Sequence, residues 1–138
     1  MERVLLAAAL IAVAALVAVL IQRRQPSPEA APSFAVPERV DRGELAGSDR
    51  PWLLAVFTSN TCSTCEEVVG ELAPLAGPDV AFAEIEVGAA RALHERYAIG
   101  AVPLLLIVDA HGNVRRHAFG PITRREVETL LDALRQER

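Results

Sequence analysis

Short apolar runs alternate with longer amphipathic stretches from residue 52 to residue 138, and this alternation limits the fold more than any other feature. Residues 52–57 (WLLAVF) and 104–108 (LLLIV) are apolar without helical periodicity. Runs of this length and pattern are typical of strands that are buried on both faces. Two further strands are predicted at residues 80–87 and 114–119, and residues 109–113 predict a hairpin turn between the last two strands.

Helices are predicted between these strands at residues 62–75 and 89–97, and a last helix from Thr123 to the end. Asn60 or Thr61 is the candidate N-cap of the first helix. Thr123 is followed three residues later by Glu126, which is a capping box. The predicted order is β-α-β-α-β-β-α. It indicates an α/β fold with a mixed sheet and helices on both faces, which is a three-layer sandwich.

Residues 4–21 form an apolar run of eighteen residues without a charged or polar side chain. As a helix it would be about 27 Å long, close to the roughly 30 Å core of a bilayer. A signal peptide has a shorter apolar core and a cleavage site of small residues, whereas residues 22–25 (QRRQ) are a poor cleavage context. We therefore predict that residues 1–24 are an N-terminal transmembrane anchor with its flanks.

The remainder of the chain has room for one small domain. Residues 25–37 contain four prolines among Ser, Glu and Ala, a composition that stiffens a chain without letting it pack a core. Residues 25–50 are therefore predicted to be a proline-rich tether and lead-in, and residues 51–138 the globular domain.

The charge balance gives no support for nucleic-acid binding. The chain carries 14 arginines, no lysine and 18 acidic residues, for a net charge of −4. Nucleic-acid-binding domains have a basic stripe, and aromatic residues make up only 4% of this chain. No nucleic-acid partner is predicted.

The two cysteines, Cys62 and Cys65, are separated by two residues at the start of a predicted helix. There, free backbone N–H groups and the helix dipole favour a thiolate at Cys62, and Cys65 lies one turn further along. The spacing alone is typical of a redox pair, of half a zinc site or of a buried thiol pair.

A zinc site needs two more nitrogen or sulfur ligands, normally as a second close pair. No further cysteine is present, and the three histidines do not form such a pair. We expect all three at the surface: His94, His111 and His117. No metal ligand and no cofactor are predicted.

Residues 97–104 (YAIGAVPL) place Pro103 directly before the apolar strand at 104–108. This stretch resembles the "Y-x-I-x-x-x-P-T" segment of the thioredoxin family, and the likeness extends from about residue 52 to residue 134. The resemblance implies a thioredoxin-like fold and disulfide oxidoreductase activity on protein substrates. Cys62 would be the nucleophile and Cys65 the resolving cysteine.

The resemblance also implies a cis bond between Val102 and Pro103, with the Val102 backbone exposed to pair with an extended substrate. The chain departs from the family where thioredoxins have a buried aspartate and its lysine neighbour, since Val56 and Glu84 occupy those positions. Glu84 is the candidate proton acceptor for Cys65. The alternative is that Glu84 points to solvent beside Glu86.

The expected partners are protein thiols and disulfides, an unidentified redox partner, and the membrane through residues 4–21. Arg23 and Arg24 favour a cytoplasmic domain by the positive-inside rule. Resemblance to other anchored thioredoxin-like proteins implies an extracytoplasmic domain, and this is the location we predict. Two functional alternatives stay open: a non-catalytic interaction module, and a module that handles Cu(I) or another soft metal through the two cysteines.

Glu66 and Glu67 follow the cysteine pair directly. Negative charge near a thiolate disfavours it, and no cation in this stretch opposes them. The sequence therefore predicts a redox couple that is intermediate or reducing rather than strongly oxidising.

Overall fold

A computed structural model describes Met1, residues 34–45 and residues 49–137. The compact unit runs from Phe34 to Arg138. The predicted anchor at residues 4–21 lies outside the described residues. Within the described ranges, no helix has the length and hydrophobicity needed to cross a bilayer.

The described part of this unit contains four strands and four α-helices, in an order that confirms the predicted β-α-β-α-β-β-α pattern and adds one short helix before it. The elements are α1 (Arg42–Leu45), β1 (Trp52–Thr58), α2 (Ser63–Leu72), β2 (Val80–Glu86), α3 (Arg91–Arg96), β3 (Leu104–Val108), β4 (Val114–Phe119) and α4 (Arg124–Gln136).

The sheet has the order β2-β1-β3-β4. The β1 strand lies parallel to β2 and antiparallel to β3, and β3 pairs antiparallel with β4. The mixed sheet is therefore as predicted. Its central strands β1 and β3 are buried along their whole length, as expected for apolar runs without alternation.

Helices cover both faces of the sheet, which confirms the three-layer sandwich. On one face, Leu54 and Val56 of β1 join the core formed with buried residues of α2 and α4. On the other face, Leu53 and Phe57 pack with residues of α3 and of the lead-in. Successive strand residues point to opposite faces, so one apolar strand supplies both cores.

The lead-in also pairs with the β3–β4 turn. The Val40 amide donates to Gly112 O at 2.8 Å, and the Val114 amide donates to Glu38 O at 2.8 Å. Gly112 has φ +84°, and a Cβ there would lie 2.4 Å from Val40 O. Glycine is therefore required at this close approach.

Two helices are shorter than predicted. The α-helix of α2 ends at Leu72, and a 3₁₀ turn over Ala73–Leu75 follows because Pro74 has no N–H to donate to the helix ladder. Helix α3 begins only at Arg91. The capping box of α4 is confirmed, since Thr123 and Glu126 exchange both hydrogen bonds.

Candidate active site

The two cysteines lie at the start of α2, directly after the loop that leaves the carboxyl end of β1. They form a disulfide, with the two Cα atoms 5.3 Å apart. The N-cap of α2 is Cys62 itself, because its Sγ accepts from the Cys65 amide at 3.1 Å. The prediction of Asn60 or Thr61 as N-cap was wrong, because the loop after β1 is longer than expected and the helix begins at Ser63.

The two sulfurs differ in exposure. Cys62 is half-buried, whereas Cys65 is only 2% exposed and belongs to the buried residues of α2. An attacking thiolate from another molecule therefore meets Cys62 first. Thiol–disulfide exchange depends on access to the sulfur that is attacked, so the two cysteines are not equivalent in such an exchange.

A groove of about 490 Å³ opens at the disulfide. The residues that line it include Ser59, Asn60, Cys62, Cys65, Glu66 and Glu84. The fold thus brings the predicted proton acceptor Glu84 to the same groove as both cysteines. Val102 and Pro103 do not line this groove.

Glu84 is exposed, yet its carboxylate is held by a hydrogen bond. Thr58 Oγ1 donates to Glu84 Oε1 at 2.8 Å, and Thr58 is only 1% exposed. Val56 is the register partner of Glu84 across the β1–β2 pair. Glu84 therefore both faces solvent and lines the groove of Cys65, so the two orientations weighed from the sequence are not exclusive.

Glu86 is a second carboxylate at the carboxyl end of β2. Its Oε1 accepts from the Asn60 amide at 3.2 Å, and its Oε2 accepts from the Ala89 amide at 2.9 Å. Hydrogen bonds from the backbone of Gly88, Ala89 and Asn60 lower the pKa of Glu86. Sequence reasoning missed the structural role of Glu86 and of Thr58, although both stand at strand ends that the β1–β2 pairing brings together.

Val102 and Pro103 lie at the beginning of β3. Their peptide bond is cis, as the resemblance implied. Pro103 is buried, Val102 is half-buried, and Pro103 O accepts from the Gly120 amide at 2.9 Å. The next residue, Leu104, pairs with Phe57 near the carboxyl end of β1. The Val102–Pro103 pair therefore lies at the same end of the sheet as the loop that carries the cysteines.

The solvent exposure of the three histidines differs in part from the prediction. His111 and His117 are exposed as expected. His94 is only 6% exposed, its Nε2 lies 2.8 Å from Ile85 O, and its ring meets Phe57 edge to face. The surface assignment of His94 was wrong because its apolar body completes the core under α3.

The sheet order, the helices on both faces and the disulfide at the start of α2 define a thioredoxin-like domain. Solved structures of thioredoxins share this fold. A mutant form of thioredoxin from Halobacterium salinarum NRC-1 superposes with a TM-score of 0.58 at 24% identity, covering 75% of this chain and 93% of that one. Thioredoxin-2, a component of the malaria parasite protein secretion machinery, superposes with a TM-score of 0.56 at 10% identity, covering 60% of this chain and 82% of that one.

No protein-family model matches the chain, and no curated protein matches it. The likeness is therefore one of fold. A thioredoxin-like fold that carries a disulfide of C-x-x-C spacing supports thiol–disulfide exchange as the general class of activity.

Proposed function

We propose that this chain is a membrane-tethered oxidoreductase that exchanges thiols and disulfides with protein substrates. The observation that carries the proposal is the disulfide at the start of α2, whose two cysteines differ in exposure: Cys62 is open to attack and Cys65 is buried. A purely structural disulfide has no need of an accessible sulfur at a helix N-terminus beside an open groove.

The exchange balances in two steps. In the reduced protein, the Cys62 thiolate attacks a client disulfide, a mixed disulfide forms, and the client's other sulfur leaves as a thiolate that takes a proton. The Cys65 thiol then loses its proton and attacks Cys62 Sγ, which releases the second client thiolate. Two electrons pass to the client, and a dithiol donor is needed to reduce the Cys62–Cys65 disulfide again.

Two contacts favour these steps. The Cys65 amide points at Cys62 Sγ and would stabilise a thiolate there, together with the dipole of α2. Glu84 lines the groove of the buried Cys65 and is the proton acceptor that we assign to the second step. The hydrogen bond from Thr58 fixes the Glu84 carboxylate for this task.

We propose that the client docks on the backbone of Val102. It is half-buried and stands at the start of β3, at the end of the sheet where the cysteine loop begins. An extended client could add to it by main-chain hydrogen bonds, with its disulfide carried toward Cys62.

The tether is proposed from the sequence. The apolar run at residues 4–21 is long enough to anchor the chain, and the prolines of residues 25–37 would hold the domain away from the bilayer.

We propose an extracytoplasmic domain. Accessibility of a cysteine introduced at the exposed Glu128 to a membrane-impermeant thiol reagent, in intact cells and in a Cys62→Ser/Cys65→Ser background, tests the location. Labelling only after lysis contradicts it.

The activity is tested with the full chain in insulin reduction driven by dithiothreitol. The wild type should accelerate it, Cys62→Ser should not, and Cys65→Ser should accumulate mixed disulfides with client proteins. A chain whose disulfide forms but never turns over would be a non-catalytic module. Stoichiometric Cu(I) binding by the reduced wild type without reductase activity would make it a metal-handling module.

A further inference from the structure

The groove at the disulfide is negatively charged. Glu66 and Glu84 line it. Glu86 accepts a hydrogen bond from the backbone amide of Asn60, which is another lining residue. No arginine is among the described residues that line it. The salt bridges within the described ranges use other carboxylates: Glu44, Asp109, Asp132 and Glu137.

The three carboxylates come from two elements, α2 and β2. Glu66 is exposed in the first turn of α2, directly beside Cys65. Glu84 and Glu86 come from the carboxyl end of β2, where strand alternation puts both on the face of the sheet that α2 covers. Backbone hydrogen bonds lower the pKa of Glu86 and so favour its charged form. A client therefore approaches Cys62 through a field of one sign.

We infer that this site selects cationic clients, namely polypeptides with Arg or Lys next to the disulfide that is exchanged. The inference rests on the proposed function and names its substrate class. Clefts lined by charge of one sign raise the association rate of oppositely charged ligands, and like-charge juxtaposition suppresses the wrong partners. The flanks of a bound client would lie over Glu66 and Glu84 while its sulfur is bonded to Cys62, so the preference would extend to the mixed disulfide.

The test uses the reduced full chain and three peptides that carry the same disulfide, flanked by Arg, Gln or Glu. Stopped-flow rates of peptide reduction are measured at low ionic strength and again near 1 M salt. We expect the Arg peptide to react about tenfold faster than the Glu peptide at low salt, with Gln between them. The rates should converge at high salt, where charges are screened within about 3 Å.

Two variants identify the source of the preference. Glu66→Gln should narrow the ratio of the Arg and Glu rates, whereas Glu128→Gln, at an exposed position of α4 outside the groove, should leave the ratio unchanged. Each rate is divided by the rate with hydroxyethyl disulfide, a neutral compound, so a general change in thiol reactivity cancels.

The outcomes separate the inference from the proposed function. Failure to reduce the neutral disulfide contradicts the oxidoreductase itself. Reduction of the neutral disulfide with equal rates for the three peptides, or with the Glu peptide fastest, overturns the charge preference alone. An equal narrowing of the ratio in Glu66→Gln and Glu128→Gln also overturns it, since the effect would then come from net charge and not from the groove.

Discussion

Replacement of Glu84 by Gln tests how the buried cysteine loses its proton. Gln keeps an acceptor for the hydrogen bond from Thr58 Oγ1 and the length of the side chain, but it removes the base. Because Cys65 is only 2% exposed, bulk water has poor access to its thiol. We therefore expect the variant to slow the attack of Cys65 on the mixed disulfide while the first attack by Cys62 stays fast.

The magnitude follows from the exposure of the carboxylate. A positioned general base typically contributes about 10²–10⁴-fold. Glu84 is exposed, so water can replace part of its role, and the expected loss is at or below the lower limit of this range, about 10- to 100-fold. This equals about 1.4–2.7 kcal/mol of activation free energy.

The assay separates the two steps in one trace. The reduced chain is mixed with a chromogenic aromatic disulfide, and each attack releases one coloured thiolate. The first phase reports Cys62 and the second reports Cys65. Glu84→Gln should slow only the second phase, and Thr58→Val, which leaves the carboxylate but frees its orientation, should slow that phase by a smaller factor.

Glu128→Gln is the matched control, because it removes an exposed carboxylate that does not line the groove. A second phase that is as fast in Glu84→Gln as in the control and the wild type would refute the proton-acceptor role. Cys65 would then transfer its proton to water or to the departing thiolate.

Three further results are expected. Glu66→Gln should make the redox couple more oxidising, because loss of a nearby negative charge stabilises the thiolate of the reduced form; equilibration with glutathione measures it, and an unchanged or more reducing potential contradicts it. Gly112→Ala should lower the free energy of unfolding by about 2 kcal/mol or more, since φ is +84° and the new Cβ would meet Val40 O. Gly70→Ala within α2 should raise the free energy of unfolding by about 0.5–1 kcal/mol, and urea titrations measure both variants. Equal midpoints for the two glycine variants would show that the close approach is relaxed. Asp109→Asn should cost about 1–2 kcal/mol at neutral pH, because the carboxylate accepts several hydrogen bonds from its turn.

The Asp109 effect has a defined pH dependence. Burial by itself would raise the pKa of this carboxyl, but hydrogen bonds from Asn113 and His111 outweigh burial and hold the pKa below its ordinary value. A lowered native pKa stabilises the fold above the unfolded pKa, and that stability is lost as the pH falls through the native pKa. The stability difference between wild type and Asp109→Asn should therefore be full above about pH 5 and shrink below about pH 4. A difference that stays constant from about pH 7 to about pH 3 would contradict this assignment.

Much of the fold was predictable because the central strands β1 and β3 are distinct apolar runs. Both ends of β3 and β4 were placed correctly from residues 104–108 and 114–119. The predictions failed at the ends of α2 and α3 and at α1, where packing and a few local hydrogen bonds decide the boundary. The four residues of α1 carry no apolar periodicity, so no sequence signal marked them.

The sequence by itself determined the alternation of strands and helices, the capping box of α4 and the position of the cysteine pair at a helix start. These features depend on residues close together in the chain, whose spacing can be read directly. Only the tertiary structure decided that Glu84 reaches the groove of Cys65 with Thr58 as its donor, and that His94 is buried. Those contacts join residues from separate elements, and the pairing of β1 with β2 and the packing of α3 on the sheet set their distances.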